Sequence, residues 1–322
     1  MTRVLITGVT GQDGSYLAER LVAEGHEVHG VVLPSEVDVP LAEGVERHVA
    51  DLAEIGAVGA VVSRARPDAV YNLAGISSVA LSWREPELTA RVTGGVVAEL
   101  LAAVREVEEG TGREVRFLQA SSAEIFGAPE TWPQTEATPV APVTPYGAAK
   151  AFAHHLVQVF RGTGMHASNV ILYNHESPRR PTTFVTRKIT SNVARIAVRG
   201  TGTLALGNLA AVRDWGWAPD YVDAMVRALE HDLPGDYVVA TGESRTVGDF
   251  VRTSFEHVGI QDWESHVVVD TRLLRAADAP TLVGDATRAH DVLGWKPMVA
   301  FEDLVCRMVD ADLERVRAEH RG

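Results

Sequence analysis

The chain has 322 residues, 46% of them hydrophobic and 23% charged, enough apolar mass for one large or two moderate packed units. A formal charge of −13 and a pI near 5.4 exclude general attraction to nucleic acid or an anionic membrane, so any phosphate ligand must be met by a local basic cluster. No apolar run reaches the length of a membrane span or a signal-peptide core, so cytoplasm is the expected compartment. The lone Cys306 excludes an internal disulfide and reads as a small buried hydrophobe.

The first strand, VLIT, runs directly into GVTGQDG, with glycines at Gly8, Gly11 and Gly14 and a helix expected from Ser15. Glycine is needed where backbone turns through positive φ or approaches a pyrophosphate, and the N–H groups opening the next helix attract that anion. A strand before and a helix after supply the context that GxxGxxG spacing lacks by itself, so this turn is expected to bind a dinucleotide. The second strand, VHGVVL, opens into LPSEVDVPLAEG, which has no Lys or Arg before Arg47 but carries Glu36 and Asp38. The phosphate state of the cofactor stays open at this point. Asp51 in VADL and Ala74-Gly75 in NLAG end the following strands, where an adenine and its ribose would lie.

A helical pattern over residues 88–109 leads to the strand VRFLQ and then to SSAEIFG, which sets Ser121 and Ser122 beside Glu124. A carboxylate at a strand end can cap, face water or take part in chemistry, and these residues alone do not choose. TPYGAAK places Tyr146 and Lys150 on one face of a helix. A phenol, with a free pKa of about 10, needs a nearby cation to act as a base near neutrality. The strand SNVILY precedes NHESPRRPTTFVTRKIT, whose Arg179, Arg180, Arg187 and Lys188 offer the positive charge that a diphosphate requires. Farther on, DYVVATGE reads as a strand returning to the first lobe.

Strand and helix alternating in this way predict an α/β chain, a doubly wound parallel sheet with a smaller mixed α/β lobe for substrate. The expected division is 1–173 plus about 214–241 for the dinucleotide-binding unit, and about 174–213 plus 242–322 for the other. His26 and His29 lie on a strand with no ligand partner in view, and His154 and His155 point apart on a helix, so no metal site is expected. Trp215, Trp217 and Trp295 read as packing residues.

The glycine turn, the serine-bearing strand end and the Tyr-x-x-x-Lys spacing, in that order, resemble the extended short-chain dehydrogenase/reductases, which have a Rossmann-type fold. Within that group, ITGVTGQDGSYLAE, QASSAEIFG, TPYGAAK, YNHESPRR, LGNLAAVRDWGWAPDYVDAM and LGWKP resemble the GDP-mannose 4,6-dehydratase family over nearly the whole chain. The resemblance implies a hydro-lyase that oxidises the sugar at C4, eliminates water across C5 and C6 and reduces C6, with Ser122, Glu124, Tyr146 and Lys150 as catalytic residues. It implies NADP, held by Gly8, Gly11, Gln12, Asp13, Gly14, Asp51, Leu52, Leu73, Ala74, Gly75, Tyr146, Lys150 and His175. It also implies contacts to GDP-mannose from Ser77, Asn174, Arg187, Lys188, Arg213 and Arg275, and a homodimer through the helices near 88–109 and 146–162.

The chain departs from that pattern in four places. Ser122 stands for the usual threonine, which keeps the hydroxyl, and Ala123 stands for a polar residue. NLAGISSV lacks the Gln and His that the family places around Ser77. The loop after VHGVV is shorter and acidic, where the family has an Arg- and Ser-rich loop that binds the NADP 2′-phosphate and reaches a neighbouring subunit. NAD therefore stays open and a tetramer loses support. A dehydratase or epimerase for another nucleotide sugar, or a cofactor-binding scaffold without chemistry, are the alternatives, and the intact Ser122, Glu124, Tyr146 and Lys150 oppose the last.

Overall fold

Val4, Leu5 and Ile6 form an unbroken apolar run that is buried on both faces, which is what a central strand of a parallel sheet requires. In the computed structural model, which describes residues 1–273 and 281–320, this run is β1 (Arg3–Thr7). In chain order there follow α1 (Gln12–Ala23), β2 (Glu27–Val32), β3 (Val45–Val49), α2 (Ala57–Ala65), β4 (Ala69–Asn72), α3 (Val79–Arg84), α4 (Pro86–Thr89), α5 (Val96–Thr111), β5 (Arg116–Ser122), α6 (Pro145–Gly162) and β6 (Ala167–Leu172). The rest comprises β7 (Asn174–Glu176), α7 (Val185–Arg199), β8 (Leu204–Leu206), β9 (Val212–Arg213), β10 (Trp215–Trp217), α8 (Ala218–Glu230), β11 (Asp236–Val239), β12 (Arg245–Thr246), α9 (Val247–His257), β13 (Val267–Val269), β14 (Thr281–Leu282), α10 (Thr287–Leu293) and α11 (Phe301–Glu319).

Seven parallel strands in the order β3-β2-β1-β4-β5-β6-β11 form the main sheet, the doubly wound arrangement expected. The late segment DYVV does return to it, Tyr237 pairing with Val170. One apolar cluster packs α1 and α8 on one face, with Leu17, Leu21, Tyr221 and Met225; a second packs α2, α5 and α6 on the other, with Val58, Val62, Leu100 and Val157. A third lies among α7, α9 and α11, where Ile189, Phe250, Phe255 and Met308 are buried. Trp215 belongs to it, its ring 5.4 Å from Phe250, and Trp295 is buried with its indole N–H donating to the Asp220 carbonyl at 2.7 Å.

Local signals set the helix starts. Thr144 caps α6 by accepting the Gly147 N–H, with Pro145 at the first helical position, where its missing N–H costs nothing. Thr246 and Asp249 form a reciprocal capping box on α9.

Four details differ from expectation. Helix α1 begins at Gln12 rather than Ser15, so Gln12, Asp13 and Gly14 form its first turn. The pattern over 88–109 is broken by a π-helical stretch, Ala90–Gly95, where a Cβ on Gly94 would lie 3.2 Å from the Ala149 carbonyl, so glycine lets α6 approach. Cys306 is half-buried at the flank of α11, not in its core stripe of Leu304, Val305 and Met308. His29 does have a partner: His48 Nε2 is 2.9 Å from its Nδ1, while Glu27 meets its other ring nitrogen at 3.0 Å. Glu46 lies 3.6 Å from His29 and 3.5 Å from His48. His29, Glu46 and His48 thus bring three potential ligand atoms within 4.8 Å of one another, a cluster that strand alternation alone did not reveal.

Candidate active site

Because the strands are parallel, the residues following β1, β4, β5 and β6 meet at one edge of the sheet. The glycine turn is shaped for a ligand to approach. Gly8 has φ +70°, and a Cβ there would come within 3.0 Å of the Ala74 backbone; a Cβ on Gly14 would lie 2.2 Å from the Gly8 carbonyl. A side chain at Gly8 or Gly14 would clash with the chain's own backbone, so these glycines let the turn close tightly, and the first N–H groups of α1 open onto it, as a pyrophosphate needs. A dinucleotide fits this cradle.

Asp13 and His175 join α1 to β7. His175 Nε2 is 2.8 Å from Asp13 Oδ2 and its Nδ1 is 2.7 Å from the Tyr173 carbonyl. Two acceptors ask for two ring protons, an imidazolium. Burial pushes the His175 pKa down, but the Asp13 carboxylate outweighs it and the net shift is upward. Gln12 locks the same junction, donating to the His175 carbonyl at 3.0 Å and accepting from Ser177 at 2.8 Å.

The catalytic candidates converge at the end of β5. Ser122 is its last residue, and its hydroxyl lies close enough to the Tyr146 phenol at the start of α6 to lower that phenol's pKa. Burial pushes the Tyr146 pKa up to about 12; the Ser122 hydroxyl works against that rise, the Glu124 carboxylate adds to it and the Arg180 guanidinium reduces it. Lys150, one turn on, is pulled down to about 8 by burial. Its ammonium donates to the Ala120 carbonyl at 2.7 Å and lies 5.9 Å from the Tyr146 ring centre. Glu124 sits on the short 3₁₀ turn Ala123–Phe126, and its N–H donates to Ser122 Oγ at 3.3 Å. A buried hydrogen-bond chain runs behind these groups: Thr7 to Asn72 at 2.6 Å, Asn72 to Gln119 at 2.7 Å, and Gln119 to the same Ala120 carbonyl at 2.9 Å. It couples the glycine-turn strand to the backbone that holds Lys150.

Of the residues expected beside an adenosine, Asp51 is half-buried and accepts the Ala53 N–H at 2.9 Å, while Leu52 and Leu73 pack on the two sheet clusters. Ala74 is buried with its N–H on Thr7, and Gly75 is exposed beside it. Of the residues expected to meet substrate, Ser77 is exposed before α3, Asn174 is half-buried on β7 and Lys188 is half-buried on α7. Arg213 is buried on β9, one of its nitrogens donating to the Val212 carbonyl at 2.7 Å. Arg275 lies outside the described residues.

The basic run is less available to a diphosphate than its composition implies. Arg187, expected at the substrate, is 5% exposed, and its Nη1 donates to both carboxylate oxygens of Asp312 on α11, at 2.7 and 2.6 Å. Arg179 stacks on Tyr16 and pairs with Glu19, and Arg180 stacks on Phe184 and pairs with Glu176. These carboxylates come from the chain's own acidic excess. Removing one partner of the buried pair strands the other charge, so Asp312→Ala is expected to lower stability by about 3–5 kcal/mol in urea unfolding. A loss below about 1 kcal/mol would show that the pair is not confined as described.

Three residues at this edge were not singled out for these roles by spacing or motif. Arg180 acts electrostatically on Asp13, His175 and Tyr146, so it faces the catalytic end as well as Glu176. Its only sequence signal is the Arg doublet of SPRR. Thr10 and Glu36 are the other two, joined across the glycine turn by a 2.9 Å hydrogen bond.

Comparison with known proteins points the same way. The GDP-mannose 4,6 dehydratase family profile matches residues 5–308. GDP-mannose 4,6 dehydratase 2 of Arabidopsis thaliana is 45% identical over an alignment covering 98% of this chain and 88% of that protein. The GDP-mannose 4,6 dehydratase of Homo sapiens is 42% identical, covering 97% of this chain and 92% of its own. Among solved structures, a UDP-glucose 4-epimerase from Thermus thermophilus in complex with NAD superposes with a TM-score of 0.82 at 27% identity, over 96% of this chain and 98% of that one.

Proposed function

The chain belongs to the GDP-mannose 4,6-dehydratase family, and from that premise we propose how its own residues convert GDP-mannose to GDP-4-keto-6-deoxymannose. The observation that carries the assignment of roles is the convergence of Ser122, Tyr146, Lys150 and Glu124 at the end of β5. Tyr146 takes the proton from the O4 hydroxyl, Ser122 holds that oxygen by a hydrogen bond, and the Lys150 ammonium stabilises the phenolate. A nicotinamide dinucleotide held by the glycine turn would supply the hydride acceptor for C4 and, after elimination, the hydride donor for C6, with C5 taking its proton from solvent. Once C4 is a ketone the C5 proton is acidic; Glu124 removes it and then, as a carboxylic acid, protonates the departing O6 hydroxyl. Asn174, Lys188 and Arg213 are assigned to GDP-mannose, carried on a lobe of about 174–213 plus 242–322, with Ser77 of the dinucleotide-binding unit near the sugar.

Incubation with GDP-mannose is expected to yield a nucleotide sugar lighter by one water with no net reduction of cofactor. An unchanged substrate, in protein shown to bind a dinucleotide, would sink this reading.

We further propose that the enzyme is a homodimer through α5 and α6. Phe152 and Val159, on one stripe of α6, are 53% and 61% exposed, which suits a covered face. The protein is expected to sediment as a dimer and the Phe152→Glu variant as a monomer; a monomeric parent protein would contradict the assignment.

A further inference from the structure

The family resemblance implies a cofactor with a 2′-phosphate on its adenosine ribose, and the residues of this chain do not fit that group. In doubly wound folds the ribose lies between the glycine turn and the end of the second strand, where a carboxylate accepts from ribose hydroxyls or an Arg meets the phosphate. Here Glu36 bridges those two places. Its Oε2 accepts from Thr10 Oγ1 in the turn at 2.9 Å and from the N–H of Leu33, the first residue after β2, at 3.3 Å. The Glu36 N–H in turn donates to the Leu33 carbonyl at 2.9 Å, closing a short 3₁₀ turn over Pro34–Glu36 that holds the carboxylate in place. Both side-chain bonds fall on one oxygen, so the other keeps its lone pairs for a further donor. From Leu33 to Glu43 the loop contributes Glu36, Asp38 and Glu43 and no cation.

The nearest candidate for a phosphate-binding cation is turned to a different task. Arg47, on β3, directs its guanidinium at the backbone carbonyls of Glu36, Val37 and Val39, Nη1 reaching Glu36 O at 3.2 Å and Nη2 reaching Val39 O at 2.7 Å. It supports the loop that presents Glu36 and spends its donors there. A 2′-phosphate would bring close to two negative charges against a fixed carboxylate, with no guanidinium fork recorded opposite it among the described residues. A 2′-hydroxyl would instead donate to that carboxylate.

We infer that Glu36 selects the dinucleotide without the 2′-phosphate, so that this enzyme uses NAD where its resemblance implies NADP. The inference rests on the functional reading above, since it presumes a nicotinamide dinucleotide in the glycine turn.

Calorimetric titration of the purified protein with NAD⁺ and NADP⁺ reads the choice without any turnover. NAD⁺ is expected to bind about a hundredfold more tightly, the size expected of an unscreened like-charge contact at a half-buried position. Glu36→Gln removes the repulsion and weakens the ribose contact, and is expected to narrow that ratio by about tenfold or more. Leu33→Arg combined with Glu36→Ser supplies a cation and should bring NADP⁺ to parity or better. Tighter binding of NADP⁺ by the parent protein, or a ratio unmoved by Glu36→Gln in a variant that still binds NAD⁺, overturns the inference while leaving the dehydratase reading intact. Failure of both dinucleotides to bind overturns the functional reading, and the inference with it.

Discussion

Replacing Tyr146 with Phe is expected to lower the turnover of GDP-mannose by about 10³-fold while leaving dinucleotide affinity close to that of the parent, because the loss is one of proton transfer and not of packing. The pH profile makes the argument sharper than the size of the loss. In the cofactor-free fold Tyr146 stands at about 12 and Lys150 at about 8, so the first proton to leave the pair on raising the pH comes mostly from Lys150. The reactive arrangement, phenolate beside ammonium, has lost the same number of protons. It is a fixed minor fraction of the singly deprotonated pair, and its population rises with pH through the lower value and then levels off. The rate of the oxidation step should follow that curve, and the positive charge of an oxidised nicotinamide should move the limb to lower pH without changing its shape. In Lys150→Met the limb belongs to Tyr146 alone and should shift upward by more than a unit. A limb at the same pH in both proteins would remove Lys150 from the role assigned to it.

Glu124→Gln separates the two halves of the reaction. The amide can neither take the C5 proton nor deliver one to O6, so dehydration should fall by about 10²–10⁴-fold. Oxidation at C4 should survive. The Glu124 charge holds the Tyr146 pKa up, and its removal therefore favours the phenolate. The expected result on mixing Glu124→Gln with GDP-mannose is reduced dinucleotide accumulating up to the enzyme concentration, seen by its near-ultraviolet absorbance, with no loss of water from the sugar. Parent-like turnover would remove Glu124 from the elimination step.

Much of this site could be read from the sequence because its signals are local. The glycine turn declares itself between a strand and a helix, and Tyr146 and Lys150 share a helix face by spacing alone. What could not be read depends on partners far apart in the chain. Arg187 looks like a free cation in TRKIT, yet its partner Asp312 is 125 positions away and is brought to it only by the packing of α7 on α11. Arg179 likewise finds Glu19, 160 positions away, through the closure of the edge around α1 and β7, whereas Arg180 pairs locally with Glu176. The acidic loop after β2 was legible as acidic. That Glu36 alone turns back to Thr10, and that Arg47 faces the loop's carbonyls, follow from the turn geometry over Pro34–Glu36 and from the pairing of β3 beside β2. The break in the 88–109 helix has the same origin, since Gly94 answers to the approach of α6 and not to its own neighbours in sequence.

The central claim is that one hydride leaves C4 and comes back to C6 within a single bound sugar. GDP-mannose deuterated at C4 tests it most directly, with the product's C6 methyl group examined by mass and NMR. The C4 deuterium is expected at C6 in nearly every product molecule, with solvent hydrogen at C5. Product without deuterium at C6, or deuterium recovered in a pool of free reduced cofactor, would contradict it.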